Sequence, residues 1–96
     1  MFVVSLTYQC ELHEIDAHLP GHIDFLERCY SAGLFLVSGR KVPRTGGIIL
    51  AHHMTRAELE QLLTQDPFHQ HNLASYDITE FVPTKTCEQF DFLRQS

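Results

Sequence analysis

The sequence predicts an α+β domain of the ferredoxin-like kind, with the order β-α-β-β-α-β and an antiparallel sheet that carries both helices on one face. Apolar residues alternate with polar ones in the strand candidates and recur every three to four positions in the helix candidates. Neither a repeat nor a linker interrupts this order. We therefore expect one domain over residues 1–83 and a C-terminal tail at 84–96.

The first strand is predicted over residues 2–8, where larger apolar side chains alternate with smaller or polar ones. Residues 9–19 are expected to form a polar connection. The first helix is predicted over residues 20–32, because Pro20 is acceptable in a first helical turn and Gly33 supplies a C-terminal stop. The helix is amphipathic throughout.

The middle of the chain predicts a β-hairpin and a second helix. Buried strands over residues 34–39 and 47–52 are joined by a polar loop that contains Pro and Gly. Thr55 and Glu58 have the spacing of a capping box, in which each residue satisfies a backbone amide of the other. The second helix is therefore expected to begin at Arg56.

The final elements are a short helical segment and a strand. Asp66 followed by Pro67 has the order of an N-cap and a first-turn proline, which predicts a helical turn over residues 67–71. Residues 73–82 alternate loosely and form the last predicted strand, which Pro83 ends. Strand residues are apolar on both sides, so we expect the bare face of the sheet to pack against the same face of a second copy in a homodimer.

The charge balance argues against several classes of partner. The net charge is −5, with seven Lys and Arg residues against twelve Asp and Glu residues, which disfavours nucleic-acid binding. The N-terminal apolar segment is too short for a signal peptide or a membrane span. Three cysteines without ligand spacing imply neither a disulfide framework nor a zinc site. We expect a cytoplasmic protein without a membrane association.

His22 is the most informative residue of the first predicted helix. It falls inside an apolar stripe in which leucine would pack better. The other members of this stripe are Leu19, Ile23, Leu26, Cys29 and Tyr30. The helix thus directs an imidazole at the sheet, where it could be a hydrogen-bonded core residue or a catalytic group.

The chain resembles the YciI-like (YCII-related) family, which belongs to the dimeric α+β barrel group that also contains muconolactone isomerases. The resemblance covers nearly all of residues 1–83. It is carried by four segments: His22-x-x-Phe25-Leu26, Ala32-Gly33 before a strand that ends in Ser38-Gly39, Gly46-Gly47-Ile48-Ile49, and Asp66-Pro67-Phe68. The family often has Gly-Pro after its second strand, whereas this chain has Gly39-Arg40-Lys41-Val42-Pro43.

The resemblance implies that His22 and Asp66 form an active-site pair. A carboxylate beside one ring nitrogen would set the tautomer and leave the other nitrogen as a general base. Capping of the short helix explains Asp66 equally well, and the two roles are compatible. No cofactor is implied. The pairs His52/His53 and His69/His71 point to different sides of their elements, which disfavours a metal site.

Four further residues are candidates for substrate binding. Ser38 is expected to share a face with Leu34, Leu36 and Arg40 and to orient a ligand, and Arg40 could meet an anionic group. Tyr8 and Phe68 would line the cavity. The resemblance, with His22 as base and Asp66 as the group that orients it, implies proton transfer on a small organic acid or lactone-like molecule, of the isomerase, lyase or dehydrohalogenase type. The alternative is a non-catalytic module of the same fold that binds a small ligand or a partner.

Overall fold

A computed structural model of the chain describes residues 1–95. Four strands form one antiparallel sheet in the order β2-β3-β1-β4. The elements are β1 (Phe2–Tyr8), α1 (Leu12–Ser31), β2 (Phe35–Arg40), β3 (Gly46–Ala51), α2 (Arg56–Leu63), α3 (Pro67–Gln70) and β4 (Ala74–Glu80), with a 3₁₀ segment at Glu88–Leu93. The α+β class and the ferredoxin-like order are confirmed.

One face of the sheet and the helices enclose the core. Val4 at the centre of β1 pairs with Ile49 of β3 on one side and with Ile78 of β4 on the other. The inward side chains of β1 are almost fully buried, as are Ile15 of α1 and Leu59 of α2. The period of two in β1 therefore separates a helix-covered face from an outer one.

The first helix is longer than the sequence predicted. It begins at Leu12, so the expected polar connection at residues 9–19 is largely helical and Pro20 lies inside the helix. An internal proline costs a helix about 3 kcal/mol because it lacks an N–H and crowds the preceding turn. Burial of Ile15, which is 0% exposed, and the backbone bonds of the added turns offset that cost.

The buried stripe of α1 also differs from the expected one. Phe25 is fully buried, whereas Ile23 is 47% exposed and Tyr30 is 37% exposed. The Phe25 ring packs edge-on against Phe35 of β2, with the ring centroids 6.0 Å apart. Because an aromatic ring buries more apolar surface than an aliphatic side chain, the helix is rotated to bring Phe25 into the core.

A β-bulge changes which residues of β2 face the helices. The register with β3 shifts between Phe35, which pairs with Ala51, and Val37, which pairs with Leu50. The extra residue inverts the alternation, so Ser38 shares the inner face with Phe35 and Arg40. Ser38 and Arg40 therefore share a face as expected, whereas Leu34 lies before the strand and Leu36 is the residue without a partner at the bulge.

The outer face of the sheet is apolar in one half only. Its apolar side chains lie on β1, β2 and β3 and include Val3, Val37 and Leu50, while Ser5 and Asp77 belong to the polar half next to β4. The pairing of two copies through this face stays a prediction.

The division into a domain at 1–83 and a tail at 84–96 also stays a prediction. No helix within residues 1–95 is long and apolar enough to cross a membrane.

Candidate active site

A half-open cleft of about 450 Å³ lies between α1 and the inner face of the sheet. Its apolar wall includes Leu6, Leu19, Ile23, Leu26 and Ile49. Every residue that the sequence nominated for substrate binding lines it, namely Tyr8, Ser38, Arg40 and Phe68, and so does His22. A concave, mostly apolar space with a few polar groups is the usual form of a small-molecule site.

His22 and Asp66 meet beside this cleft although 44 positions separate them in the sequence. The Nδ1 atom of His22 lies 2.8 Å from Oδ1 of Asp66. The side chain of His22 is 12% exposed, and that of Asp66 is fully buried. The first helix supplies the imidazole, and the turn before α3 supplies the carboxylate. The two candidate residues are therefore direct neighbours.

Asp66 accepts hydrogen bonds from three donors. Its Oδ1 atom accepts from the backbone N–H of Phe68 at 3.0 Å as well as from His22, and its Oδ2 atom accepts from the Tyr76 hydroxyl at 2.6 Å. The bond from Phe68 confirms the predicted N-cap of α3. A buried carboxylate is tolerated when hydrogen-bond donors surround it in this way.

This arrangement determines the tautomer of His22. Because both oxygens of Asp66 already act as acceptors, Nδ1 carries the hydrogen of its bond to Asp66, and the neutral ring keeps its lone pair on Nε2. The His22 ring stacks on Phe68, with centroids 4.1 Å apart and an interplanar angle of 7°. Tyr8 contacts Phe68 edge-on at 6.1 Å. Because His22 lines the cleft and Asp66 does not, Nε2 is the ring nitrogen available to a ligand.

Two arginines and a serine occupy the rim of the cleft. Arg44 donates from Nη2 to Oδ1 of Asp16 at 2.6 Å, and this hydrogen bond raises the pKa of Arg44 above its ordinary value. The Oγ atom of Ser38 lies 2.6 Å from the hydroxyl of Tyr30. Arg40 lines the cleft at the end of β2. The rim is therefore cationic next to an apolar interior.

Comparison with known proteins agrees with this architecture. The model of the YCII-related domain family matches residues 1–82. The chain belongs to this family. The resemblance seen in the sequence is thus confirmed over almost all of the predicted domain.

One solved structure similar to this YCII-related chain is 5-chloro-2-hydroxyhydroquinone dehydrochlorinase from Burkholderia phenoliruptrix, in complex with 2,5-dihydroxybenzoquinone. The two share 15% identity with a TM-score of 0.74, over 85% of this chain and 93% of the other. At that identity the likeness establishes the common fold. No curated protein matches the chain significantly.

Tyr76 is the residue of this site that the sequence did not nominate. It lies on β4, where it pairs with Leu6 of β1, and its hydroxyl reaches Asp66. Burial and the neighbouring Asp66 charge raise the pKa of Tyr76, so that the hydroxyl stays protonated and donates. The sequence could have indicated Tyr76, because it occupies an inward position of a strand and a buried tyrosine hydroxyl needs a polar partner.

Four of the six remaining histidines form two pairs. His18 stacks on His71 at 4.3 Å between centroids, and His52 contacts His53 at 3.8 Å. Within residues 1–95, no group of three or more His, Cys, Asp and Glu side chains could hold a metal ion.

Proposed function

We propose that this YCII-related chain is a small enzyme in which His22 and Asp66 catalyse proton transfer on a small organic acid or lactone-like substrate. The observation that carries the proposal is the 2.8 Å contact between Nδ1 of His22, which lines the half-open cleft, and the buried carboxylate of Asp66 behind it. A histidine that only filled the core would need neither a fixed tautomer nor a ligand-sized space beside its second nitrogen.

The proposed reaction begins when Nε2 of His22 takes a proton from an acidic C–H group of the substrate. The electron pair left on carbon forms a new double bond, or is held as an enolate. Asp66 stabilises the imidazolium that results, since an opposite charge in a dry site is effective. Returning the proton to another carbon gives an isomerase. Expulsion of an anion such as chloride, with release of the proton from Nε2 to solvent, gives a lyase or dehydrohalogenase.

The dehydrochlorinase activity of the similar structure supports the second outcome, because elimination of HCl needs a base for the proton and an exit for chloride. In this proposal Tyr8 and Phe68 pack against the substrate body, Ser38 orients it, and Arg40 binds its anionic group. Tyr76 acts through Asp66 and is a positioning residue. A positioned general base contributes about 10²–10⁴ in rate.

The test is hydrogen exchange catalysed by the protein in D₂O. Muconolactone and 5-chloro-2-hydroxyhydroquinone are incubated with the protein, and NMR follows deuterium incorporation and product formation. The variant His22→Asn keeps a side-chain N–H that can reach Asp66 but removes Nε2, so we expect the rate to fall about 100-fold or more. His13→Asn is the matched control, because the His13 side chain is 73% exposed and lies outside the cleft.

Exchange that is as fast in His22→Asn as in the wild type would contradict the proposed base. Tight binding of these compounds without exchange or turnover would favour the alternative, a ligand-binding module of the same fold. Thermal unfolding of both variants separates loss of the base from loss of structure, since a folded but inactive His22→Asn variant is the expected result.

A further inference from the structure

The two arginines of the cleft rim have different electrostatic surroundings. Arg44 lies in the loop between β2 and β3 and pairs with Asp16 of α1 at 2.6 Å, so its charge is largely neutralised. Arg40 also lines the cleft, but within residues 1–95 no carboxylate lies within ion-pair distance of it. The rim thus offers one uncompensated positive charge.

The interior of the cleft adds no second cationic group. His22 lines the apolar wall, and its Nδ1 is already bound to Asp66. Lys41 follows Arg40 in the sequence, but it donates to Oγ1 of Thr7 and does not line the cleft. A ligand with two negative groups would therefore place the second one on apolar surface or beside the Asp16 carboxylate.

We propose that the cleft selects singly charged anions, with Arg40 as the anion-binding group and Asp16 as the residue that excludes a second negative charge. This inference rests on the proposed function in taking the cleft as the substrate site. It narrows the substrate class to small, largely apolar molecules with one carboxylate or enolate group. A guanidinium binds either group through its planar fork of donors.

Asp16 determines this selectivity through two effects that add. Its carboxylate occupies a donor of Arg44, and its charge repels an approaching anion. Asp16→Asn removes the charge and keeps the size of the side chain, and its neutral amide oxygen holds the Arg44 guanidinium less strongly than the carboxylate does. Because Asp16 and Arg44 are partly exposed, solvent screens their charges. The gain in binding affinity for a second anionic group in Asp16→Asn is therefore limited to the contribution of one surface ion pair.

Benzoate and isophthalate are suitable probes because they share one ring and differ by one carboxylate. Their dissociation constants are measured by NMR titration at low ionic strength. We expect the wild type to bind benzoate more tightly than isophthalate. Asp16→Asn should tighten isophthalate binding about fivefold and benzoate binding less than about twofold. Salt should reduce the difference.

Asp24→Asn is the matched control. Asp24 lies on the same helix and pairs with Arg28 at 3.4 Å, but neither residue lines the cleft, so both affinities should stay unchanged. Arg44→Gln tests the pair from the other side. It leaves the Asp16 charge without its partner and should weaken isophthalate binding further.

The proposal is overturned if the wild type binds isophthalate as tightly as benzoate, if Asp16→Asn tightens both equally, or if neither probe binds. These outcomes are independent of catalysis. Loss of proton exchange in His22→Asn with an intact preference for benzoate would uphold both inferences. A preference for benzoate in a protein without any exchange activity would uphold the charge selectivity and refute the enzyme.

Discussion

Replacing Tyr76 by phenylalanine removes one hydroxyl from the network around Asp66 and keeps the ring. In the wild type this hydroxyl donates to Oδ2 of Asp66 at 2.6 Å, while both other donors reach Oδ1. The variant therefore leaves Oδ2 without a donor from this network, in a side chain that is 0% exposed. A hydrogen bond to a charged group contributes about 1.5–3 kcal/mol, so we expect a loss of about 2 kcal/mol.

Urea and thermal denaturation measure this loss directly. For a domain of this size, about 2 kcal/mol corresponds to a decrease of about 8–16 °C in Tm. Tyr30→Phe is the matched control, because its hydroxyl also forms a 2.6 Å contact, but with the neutral hydroxyl of Ser38 at an exposed position. The control should lose about 0.5 kcal/mol or less.

The pH dependence provides a second readout of the same bond. The pKa of Tyr76 is raised above its ordinary value of 10.0 in the folded state, first by burial and then by the Asp66 charge. Below that ordinary value both states keep the proton, and the contribution to stability is complete. As the pH rises above it, the unfolded state releases the proton first and stability falls. Tyr76→Phe should lack this component.

Equal stability of Tyr76→Phe and Tyr30→Phe would refute this reasoning. It would mean that solvent or a shifted side chain satisfies Oδ2 and that the carboxylate is less enclosed than its burial indicates. If Tyr76→Phe lost much stability but its stability still fell at alkaline pH as in the wild type, the effect would instead be assigned to packing of the ring.

Two further predictions concern the elements that hold the site. Gly46→Ala should lower the free energy of unfolding by about 2 kcal/mol or more, because a Cβ atom there would lie 1.7 Å from the backbone oxygen of Leu6. Gly39→Ala has open space around the added atom and should change the free energy of unfolding by less than about 1 kcal/mol. Urea denaturation of both variants compares the two values. Hydrogen bonds from Thr55 lower the pKa of Glu58, so its contribution to stability is present above the ordinary glutamate value of 4.5 and is lost as the pH falls. A plot of Tm against pH should therefore be flatter in acid for Glu58→Gln, and identical curves would contradict the assignment.

Local hydrogen-bonding patterns allowed several elements to be predicted from the chain. The capping box of Thr55 and Glu58 is present, and α2 begins at Arg56 as expected. Gly33 adopts a positive φ of 75° just after α1, and Asp66 caps α3. Each of these signals depends on residues within four positions of one another, so the sequence contains all of their partners.

Contacts between distant segments decided the rest. Burial of Ile15 against the sheet extends α1 through Pro20, and the bulge after Phe35 turns Ser38 toward the helices. Tyr76 reaches Asp66 only because β4 lies beside β1 at the edge of the sheet. Sequence patterns nominated His22 and Asp66, but the 2.8 Å contact and the cleft beside it exist only where packing brings helix, turn and strand together. Such long-range burial outweighs local propensity, and no short stretch of sequence encodes it.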